Sequence, residues 1–448
     1  MDPSLPDPSW QEARDGDTLR PPTPRLLAST DRSECPDEFP GSFPPGDNGH
    51  ILVPQLFRTV EFSADGTTLI TSTWDHSLAT YVLPQTLLDD DSSCQHLSSN
   101  GDTRLQAPIR SLAPNPNFSL ADSASQSALV ATIDHPIQLH HLFPHEPNRS
   151  KIASYKLIND KTEAYIAPNS MLWPQPGSVF LCGSTNRLDV FDIAREGEDG
   201  HYMTLETIPR EHRSARGRPI HGWKGTIAAL AASPDDGGGH VVAAGSWNRW
   251  VALYDYRRTP TPISHWCLTD SLDPATKEAP VGSGIVQTLW SPCGRYLILN
   301  ERNSNGLIVY DIRQGSRMLG SLGPRNAMTQ MRLGCGAFAS TLEGSAAGQF
   351  EIWGGAVDGT VKMWDNVGGL SEITPVRAKG WKAHDAPVTN TILHPSGSVV
   401  VTSAGTWDPP SEATIESNVG RRDRNGVPEM PPCNITSDTS LRIWECVI

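Results

Sequence analysis

A unit that repeats seven times along the chain limits the fold more than any other feature. Each unit has an apolar strand, a second strand ending in small residues, a tight turn, and a third strand ending in an aromatic residue beside an acid, as in "LIVYD" and "VKMWD". The residues that mark the end of the third strand are Tyr81, His140, Phe191, Tyr254, Tyr310, Trp364 and Trp444. Repeats of short strands and turns are typical of β-propellers, in which each unit builds one blade.

The seven units share one register. A turn residue lies six positions before each of these markers, and five of the seven turn residues are Asp or Asn, which suit a tight turn between strands. The turn residues are Asp75, Asp134, Thr185, Asn248, Ser304, Asp358 and Asp438. The units exceed the usual length of about 40 to 45 residues because some loops are long. This register predicts an all-β protein, a seven-bladed WD-repeat β-propeller.

The chain divides into a tail and the propeller. Residues 1–24 are rich in proline and acidic residues, and we expect a disordered tail because few of their side chains are apolar. The propeller is expected to span residues 25–448. A polar, proline-rich insertion at 406–433 interrupts the last unit, and it is expected to be either functional or disordered.

The last unit lacks an outer strand in its own part of the sequence. Its third strand is "LRIWECVI", and an unpaired strand edge invites aggregation. The best candidate for the missing strand is "RLLAST" at residues 25–30, roughly 400 residues earlier. We therefore expect the two ends of the chain to meet and close the ring.

Charge limits the kind of nucleic-acid contact that the chain can make. The formal net charge of −14 argues against a surface that is basic throughout, but it leaves room for one local basic patch. The segment "PREHRSARGRP" and the lysine that follows it supply the candidate phosphate contacts, which are Arg210, Arg213, Arg216, Arg218 and Lys224. Arginine pairs well with phosphate. The alternative is a solvated loop with no ligand.

Three tryptophans and one arginine lie at the ends of second strands. They are Trp74, Trp247, Trp407 and Arg302. Such positions project toward one face of a propeller, where an aromatic ring can stack on an unpaired base or grip a peptide. The alternative for each tryptophan is packing against the neighbouring loop.

The pattern favours structural roles over catalytic ones. His384, Asp438 and Thr436 resemble a catalytic triad, but WD blades commonly link His, Ser or Thr, Asp and Trp by hydrogen bonds. That set would be His384, Thr436 or Ser403, Asp438 and Trp444, and we assign structural roles also to Asp358 and Trp364 in unit six. No catalytic residue, metal site or cofactor is predicted. The cysteines occur singly, which predicts reduced thiols and no zinc site.

Several segments resemble the telomerase Cajal-body WD-repeat protein family more closely than WD repeats in general. They are "ADGTTLITSTWDHSLATYVLP", "DHPIQLHH", "AAGSWNRWVALYD" and "GLIVYDIRQGSRML", and the resemblance runs from about residue 25 to 448. It implies a nuclear RNA-binding scaffold that recognises small Cajal-body RNAs and telomerase RNA and meets box H/ACA particles and coilin. A yeast relative is linked to spliceosomal particles. The proline-rich, acidic style favours a fungal member.

Two functions follow from the sequence and the resemblance. The first is a non-enzymatic scaffold that binds small nuclear RNA particles and supports their assembly or localisation. We expect it to be a monomer without a membrane segment, located in the nucleus in Cajal-body-like foci. The alternative is a protein-interaction scaffold such as a cullin-ligase substrate receptor. It rests on "YDIR", Tyr310 to Arg313, which resembles the WDxR box that docks a ligase adaptor.

Overall fold

The computed structural model describes the chain with gaps. It covers residues 24–35, 56–89, 93–144, 150–197, 200–207, 225–234, 240–269, 282–314, 318–339, 349–369, 378–408, 434–435 and 438–446. Of the predicted disordered tail, all but Pro24 lies outside these residues, and so does most of the insertion, from 409 to 433. Regular structure in the described ranges consists of β-strands and short 3₁₀ turns.

The strands are short and follow one another closely. In chain order they are β1 (Leu26–Ser29), β2 (Phe57–Phe62), β3 (Thr68–Thr73), β4 (Ser77–Val82), β5 (Gln95–His96), β6 (Gly101–Arg104), β7 (Ile109–Pro114), β8 (Ser127–Thr132), β9 (Ile137–His141), β10 (Lys151–Tyr155), β11 (Ser170–Leu172), β12 (Val179–Ser184), β13 (Arg187–Asp192), β14 (His201–Leu205), β15 (Ile227–Ala232), β16 (Val241–Ser246), β17 (Trp250–Asp255), β18 (Ser264–Cys267), β19 (Ile285–Trp290), β20 (Tyr296–Glu301), β21 (Leu307–Asp311), β22 (Met318–Leu322), β23 (Cys335–Ala339), β24 (Phe350–Gly355), β25 (Thr360–Trp364), β26 (Lys379–Lys382), β27 (Val388–Leu393), β28 (Val399–Ala404), β29 (Trp407–Asp408), β30 (Asn434–Ile435) and β31 (Leu441–Glu445). The 3₁₀ turns are Ser123–Ser125, Ile312–Gln314 and Val367–Gly369.

Seven antiparallel sheets form the blades, which confirms the predicted seven-bladed propeller. From the inner to the outer strand, the blades are β2-β3-β4-β6, β7-β8-β9-β10, β11-β12-β13-β14, β15-β16-β17-β18, β19-β20-β21-β22, β23-β24-β25-β26 and β27-β28-β31-β1. The inner strands of neighbouring blades contact each other around the ring from β7 through to β27, and β27 contacts β2. Blades arranged in this way surround a central channel.

The hydrophobic core lies between neighbouring blades. All seven marker residues of the third strands are buried. The ring of Tyr310 in blade 5 packs across the blade boundary, with its centroid 5.4 Å from that of Trp266 in blade 4. The repeat therefore exists because each blade has apolar surface that only the next blade can cover.

Blade 2 departs from this pattern by placing a histidine at the marker position. The imidazole of His140 is buried, with Nδ1 3.1 Å from the Ser150 hydroxyl and Nε2 2.9 Å from Oε1 of Gln138. Burial, helped by the charge of Lys151, lowers the pKa of His140 to about 4. The imidazole of His140 is therefore protonated more readily in the unfolded chain than in the folded one. This histidine costs no stability above about pH 6.5, and the free energy of unfolding falls as the pH drops from there toward 4.

We expect His140→Phe to flatten this pH dependence. The wild-type free energy of unfolding should lose up to about 3 kcal/mol from this histidine between pH 6.5 and 4, and the variant should lose that much less. Urea unfolding at pH 7, 5.5 and 4.5 measures the difference. His135→Gln, at an exposed turn, is the matched control. Parallel pH curves for wild type and His140→Phe would contradict the assignment.

The ring is closed by strands from the two ends of the chain. β1 pairs antiparallel with β31, with Leu26 opposite Trp444 and Ala28 opposite Ile443. An ion pair of 2.8 Å between Arg25 Nε and Glu445 Oε2 supports this pairing. The last strand therefore has the partner that the repeat register predicts.

A fifth strand and a disulfide extend this last blade. β5, from the long loop of blade 1, runs parallel to β1 with Ala28 opposite Gln95. Cys35 and Cys94 form a disulfide with their Cα atoms 4.9 Å apart, so the prediction of reduced thiols is wrong for this pair. The reason is that the pairing of β1 with β5 brings together cysteines that are 59 positions apart in sequence. Cys182, Cys335 and Cys446 are free thiols, as predicted.

Candidate nucleic-acid interface

One face of the ring carries the described aromatic candidates. Because successive strands of a blade run antiparallel, the turns between second and third strands lie on the same face as the starts of the inner strands; we call this the turn face. Trp74, Trp247 and Arg302 follow β3, β16 and β20 directly or within one residue, so the structure brings them to this face. Trp407 begins β29 there, with its backbone paired to Ile435.

Two tryptophans on the turn face are each covered by an arginine. The Arg58 guanidinium lies 5.0 Å from the centroid of the Trp74 ring, and the Arg302 guanidinium lies 4.8 Å from the Trp247 ring. An arginine over an aromatic face gains cation–π energy and holds the ring in place. Trp74 is 49 % exposed, so this indole remains accessible to a ligand.

A buried ion pair fixes the second of these arginine–tryptophan pairs. Arg249 donates from Nε and Nη2 to the two carboxylate oxygens of Glu301, at 2.7 and 3.0 Å. Arg249 belongs to the turn after Trp247, and Glu301 precedes Arg302. The pair therefore links the turn of blade 4 to that of blade 5. Within the described ranges, Nε of Arg302 is buried without a hydrogen-bond partner.

The sequence reasoning missed a cluster of three arginines at the channel mouth. We call Arg58, Arg110 and Arg332 the arginine cluster; each lies at or just before the start of an inner strand. Arg58 Nη1 donates to the Ile109 carbonyl at 2.6 Å, and Arg110 Nε donates to the Asn169 side chain at 3.0 Å. Arg58 and Arg110 thus each reach toward the next blade.

The charges of the arginine cluster act on one another. Burial, with the like charges of Arg110 and Arg332, lowers the pKa of Arg58 to about 10. Glu61 lies on the same strand as Arg58, and burial raises its pKa to about 7 although Arg332 lowers it. The three arginines lie far apart in the sequence, so no local run of basic residues marked the cluster. Arg58 and Arg110 share the second position of an inner strand, which a comparison of the units would have found, but Arg332 lies three residues before β23.

The predicted basic loop lies outside the described residues, but its two ends do not. Arg210, Arg213, Arg216, Arg218 and Lys224 all fall within 208–224, which connects blade 3 to blade 4. Asn186, in a turn of blade 3, holds both ends: it accepts from the Gly225 amide at 2.7 Å and from the Thr207 hydroxyl at 3.0 Å. The loop therefore starts and ends on the turn face.

His384 and Asp438 form part of a structural hydrogen-bond network. Nδ1 of His384 lies 3.2 Å from Oδ2 of Asp438, and Nε2 lies 2.7 Å from the Thr402 hydroxyl. Trp444 Nε1 donates to the same hydroxyl at 2.9 Å. His384 is buried, and both of its nitrogens are engaged inside the blade. This arrangement ties strands together and exposes no nucleophile.

Thr402 supplies the hydroxyl of this network, so Ser403, one of the two predicted candidates, was wrong. Ser403 lies one position further along β28, so its side chain points to the opposite side of the sheet and accepts from the Asn390 amide at 2.9 Å. Thr436, the other prediction, lies outside the described residues. Blade 6 has the same kind of turn between its second and third strands, and there Asp358 accepts from the Thr360 amide at 3.0 Å. Trp364 of this blade is buried.

The "YDIR" segment ends a third strand on the opposite side of the ring. Arg313 Nε donates to Oδ1 of Asp311 at 2.9 Å, so the acid and the arginine of this box bind each other. The Arg313 side chain remains 53 % exposed.

The described residues include no group of three or more His, Cys, Asp or Glu side chains that could hold a metal ion. No helix among them is long and apolar enough to cross a membrane.

These features define a WD-repeat β-propeller whose turn face carries arginine–tryptophan pairs around an arginine-lined channel mouth. No protein-family model matches the chain. Propellers of this class are typically scaffolds rather than enzymes.

The chain is similar to Telomerase Cajal body protein 1 of Homo sapiens, with 23% identity over 402 residues, covering 87% of this chain and 64% of the human protein. Protein SWT21 of Kluyveromyces lactis is 26% identical over 316 residues, covering 70% of this chain and 69% of that protein. Guanine nucleotide-binding protein negative regulator 1 of Schizosaccharomyces pombe is 25% identical over 323 residues, covering 69% of this chain and 71% of that protein. The resemblance to the telomerase Cajal-body family is confirmed, and the fungal matches support a fungal relative.

Proposed function

We propose that this protein is a nuclear scaffold that binds a structured small RNA or its particle through the turn face. The observation that carries the proposal is the pairing of Arg58 with Trp74 and of Arg302 with Trp247 on one face of an acidic chain. Unpaired RNA bases stack on aromatic rings and guanidinium planes, while arginine also binds phosphate.

The name of one relative supports the kind of RNA proposed. The name of the human relative refers to telomerase and to the Cajal body. We therefore propose Cajal-body, telomerase-type or spliceosomal small nuclear RNA as ligand, and box H/ACA or spliceosomal proteins as partners, with localisation in the nucleus or its foci. The loop at 208–224 would add phosphate contacts from a segment whose two ends lie on the turn face.

Crosslinking in cells followed by RNA sequencing tests this proposal. We expect wild-type protein to recover small nuclear RNA, and Trp74→Ala to reduce recovery about tenfold, since stacking contributes roughly 1–3 kcal/mol per base. Tyr202→Ala is the matched control because Tyr202 is an exposed aromatic residue (61 %) on the outer strand β14. Recovery of no small nuclear or nucleolar RNA above background would end the proposal.

The protein-interaction alternative is favoured by one observation, the exposure of Arg313 on the opposite side of the ring. The two functions differ in their response to ribonuclease. A ligase receptor would keep its partners after RNase treatment of a pulldown and would lose them with Arg313→Ala. An RNA-bridged scaffold would lose its partners to RNase and tolerate Arg313→Ala.

A further inference from the structure

We propose that the arginine cluster at the channel mouth is a binding site for a compact polyphosphate anion. The site consists of Arg58 and Arg110, on β2 and β7, and Arg332, just before β23. This inference goes beyond RNA recognition because the ligand would be held by its phosphoryl groups alone. It also stands independently of the proposed function.

The geometry brings three positive charges from three blades to one place. Blades 1, 2 and 6 supply one arginine each, all at the turn-face end of the inner strands. Arg58 Nη1 binds the carbonyl of Ile109, the residue before Arg110, so these two arginines lie side by side, and the charge of Arg332 also acts on Arg58. Arg332 is exposed, so a ligand has access from the turn face.

The positive charges of the three arginines repel one another when no anion is bound between them. Like charges that lie close together in a partly desolvated place repel each other. Glu61 is close enough to act on Arg332, but it is one carboxylate among three arginines, and its raised pKa leaves it partly protonated near neutral pH. A multivalent anion would remove the repulsion among the arginines, and a single carboxylate would not.

Unused hydrogen-bond donors make the site suitable for phosphate. A guanidinium carries five N–H donors. Arg58 gives Nη1 to Ile109 and Arg110 gives Nε to Asn169, while Arg332 makes no hydrogen bond within the described part of the chain. The remaining donors can bind oxyanions in pairs, which is the geometry that arginine offers to phosphate. Bonds to Ile109 and Asn169 meanwhile hold two of the arginines in position.

The phosphoryl groups could come from two sources. One is a free polyphosphate such as an inositol polyphosphate; the other is a run of phosphates in a bound RNA strand. Both present several phosphoryl charges within a short distance. A free polyphosphate needs no base contact, so its binding depends on the arginine cluster and not on Trp247, which pairs with Arg302 outside the cluster.

Calorimetric titration and thermal melting with inositol hexakisphosphate test the site. We expect the wild-type melting temperature to rise by about 3–5 °C at a hundredfold excess over Kd. Arg332→Gln should weaken binding about tenfold, as expected for loss of charged hydrogen bonds, and Arg110→Gln should act similarly. Because Arg332 makes no hydrogen bond in the described residues, Arg332→Gln should fold normally. Arg258→Gln, with a side chain 85 % exposed at the opposite end of blade 4, is the control.

The outcomes separate the two sources and the two proposals. Polyphosphate binding that is lost in Arg332→Gln and kept in Trp247→Ala, whose ring lies against Arg302 outside the cluster, supports the site, whether or not the protein binds RNA. Displacement of bound RNA by polyphosphate from the wild-type protein would show that RNA phosphates share the site. No binding of polyphosphate, or equal binding by wild type and Arg332→Gln, overturns the inference even if RNA crosslinks well through the tryptophans.

Discussion

Removal of residues 1–31 is expected to lower the melting temperature by about 10 °C or more, whereas removal of residues 1–20 should leave it nearly unchanged. The longer truncation removes β1, which contributes the buried Leu27 and Ala28 and the backbone pairing with β31. Loss of one buried leucine side chain alone costs about 2–5 kcal/mol. Thermal melting followed by circular dichroism measures both truncations.

The same truncation breaks ion pairs at the closure. Arg25 binds Glu445, and Arg442 Nε donates to Glu34 at 2.9 Å. Deletion of residues 1–31 removes Arg25 and leaves Glu34 without the strand β1 that precedes it in the closure. A full-length variant, Leu27→Asp, should reproduce most of the destabilisation, and Ser33→Asp at an exposed position is its control. Equal melting temperatures for the two truncations would refute the role of β1.

His384→Ala is expected to lower the free energy of unfolding by about 1–3 kcal/mol for each of the two groups that lose a hydrogen bond to the imidazole, the buried Thr402 hydroxyl and the Asp438 carboxylate. The network joins β28 to β31 through Thr402 and Trp444 and reaches the turn before β27. Urea unfolding measures the loss. Ser396→Ala, in an exposed turn of the same blade, is the control.

The pH dependence of this network has a definite sign. Burial alone raises the pKa of the Asp438 carboxyl, but hydrogen bonds from His384, Ser440 and the Asp385 amide hold it well below its usual value. A depressed carboxyl pKa adds stability above the unfolded value of about 3.8, and this stability disappears as the pH falls below it. Burial lowers the pKa of His384 despite Asp438, so its protonation in the unfolded chain adds to the acid sensitivity. An unchanged unfolding free energy in His384→Ala would show that the network does not stabilise the blade.

The repeat register made the fold predictable from sequence. Because the third strand ends in a large buried side chain in every unit, the positions of the markers fix the strands around them. The same register implied a missing outer strand in the last blade, and β1 fills that position. Such inferences succeed because each blade repeats one local pattern of burial.

Contacts between distant parts of the chain were less predictable. The disulfide between Cys35 and Cys94 depends on β5 leaving blade 1 to pair with β1 in blade 7. The choice of Thr402 over Ser403 depends on a register within β28 that a single-residue error reverses. The arginine cluster depends on which residues converge across the channel, and no spacing along one unit contains that information.

Closure by β1 and β31 also affects the order in which the blades form during synthesis. Thr30 and Leu441 are joined by a hydrogen bond although they are 411 positions apart. At synthesis rates of about 5–20 residues per second, β1 leaves the ribosome roughly 20 to 80 seconds before its partner strand. During that interval six blades can form while β1 has no strand of its own blade to pair with. The seventh blade must therefore assemble last, so any condition that slows synthesis prolongs the exposure of its apolar residues to other nascent chains.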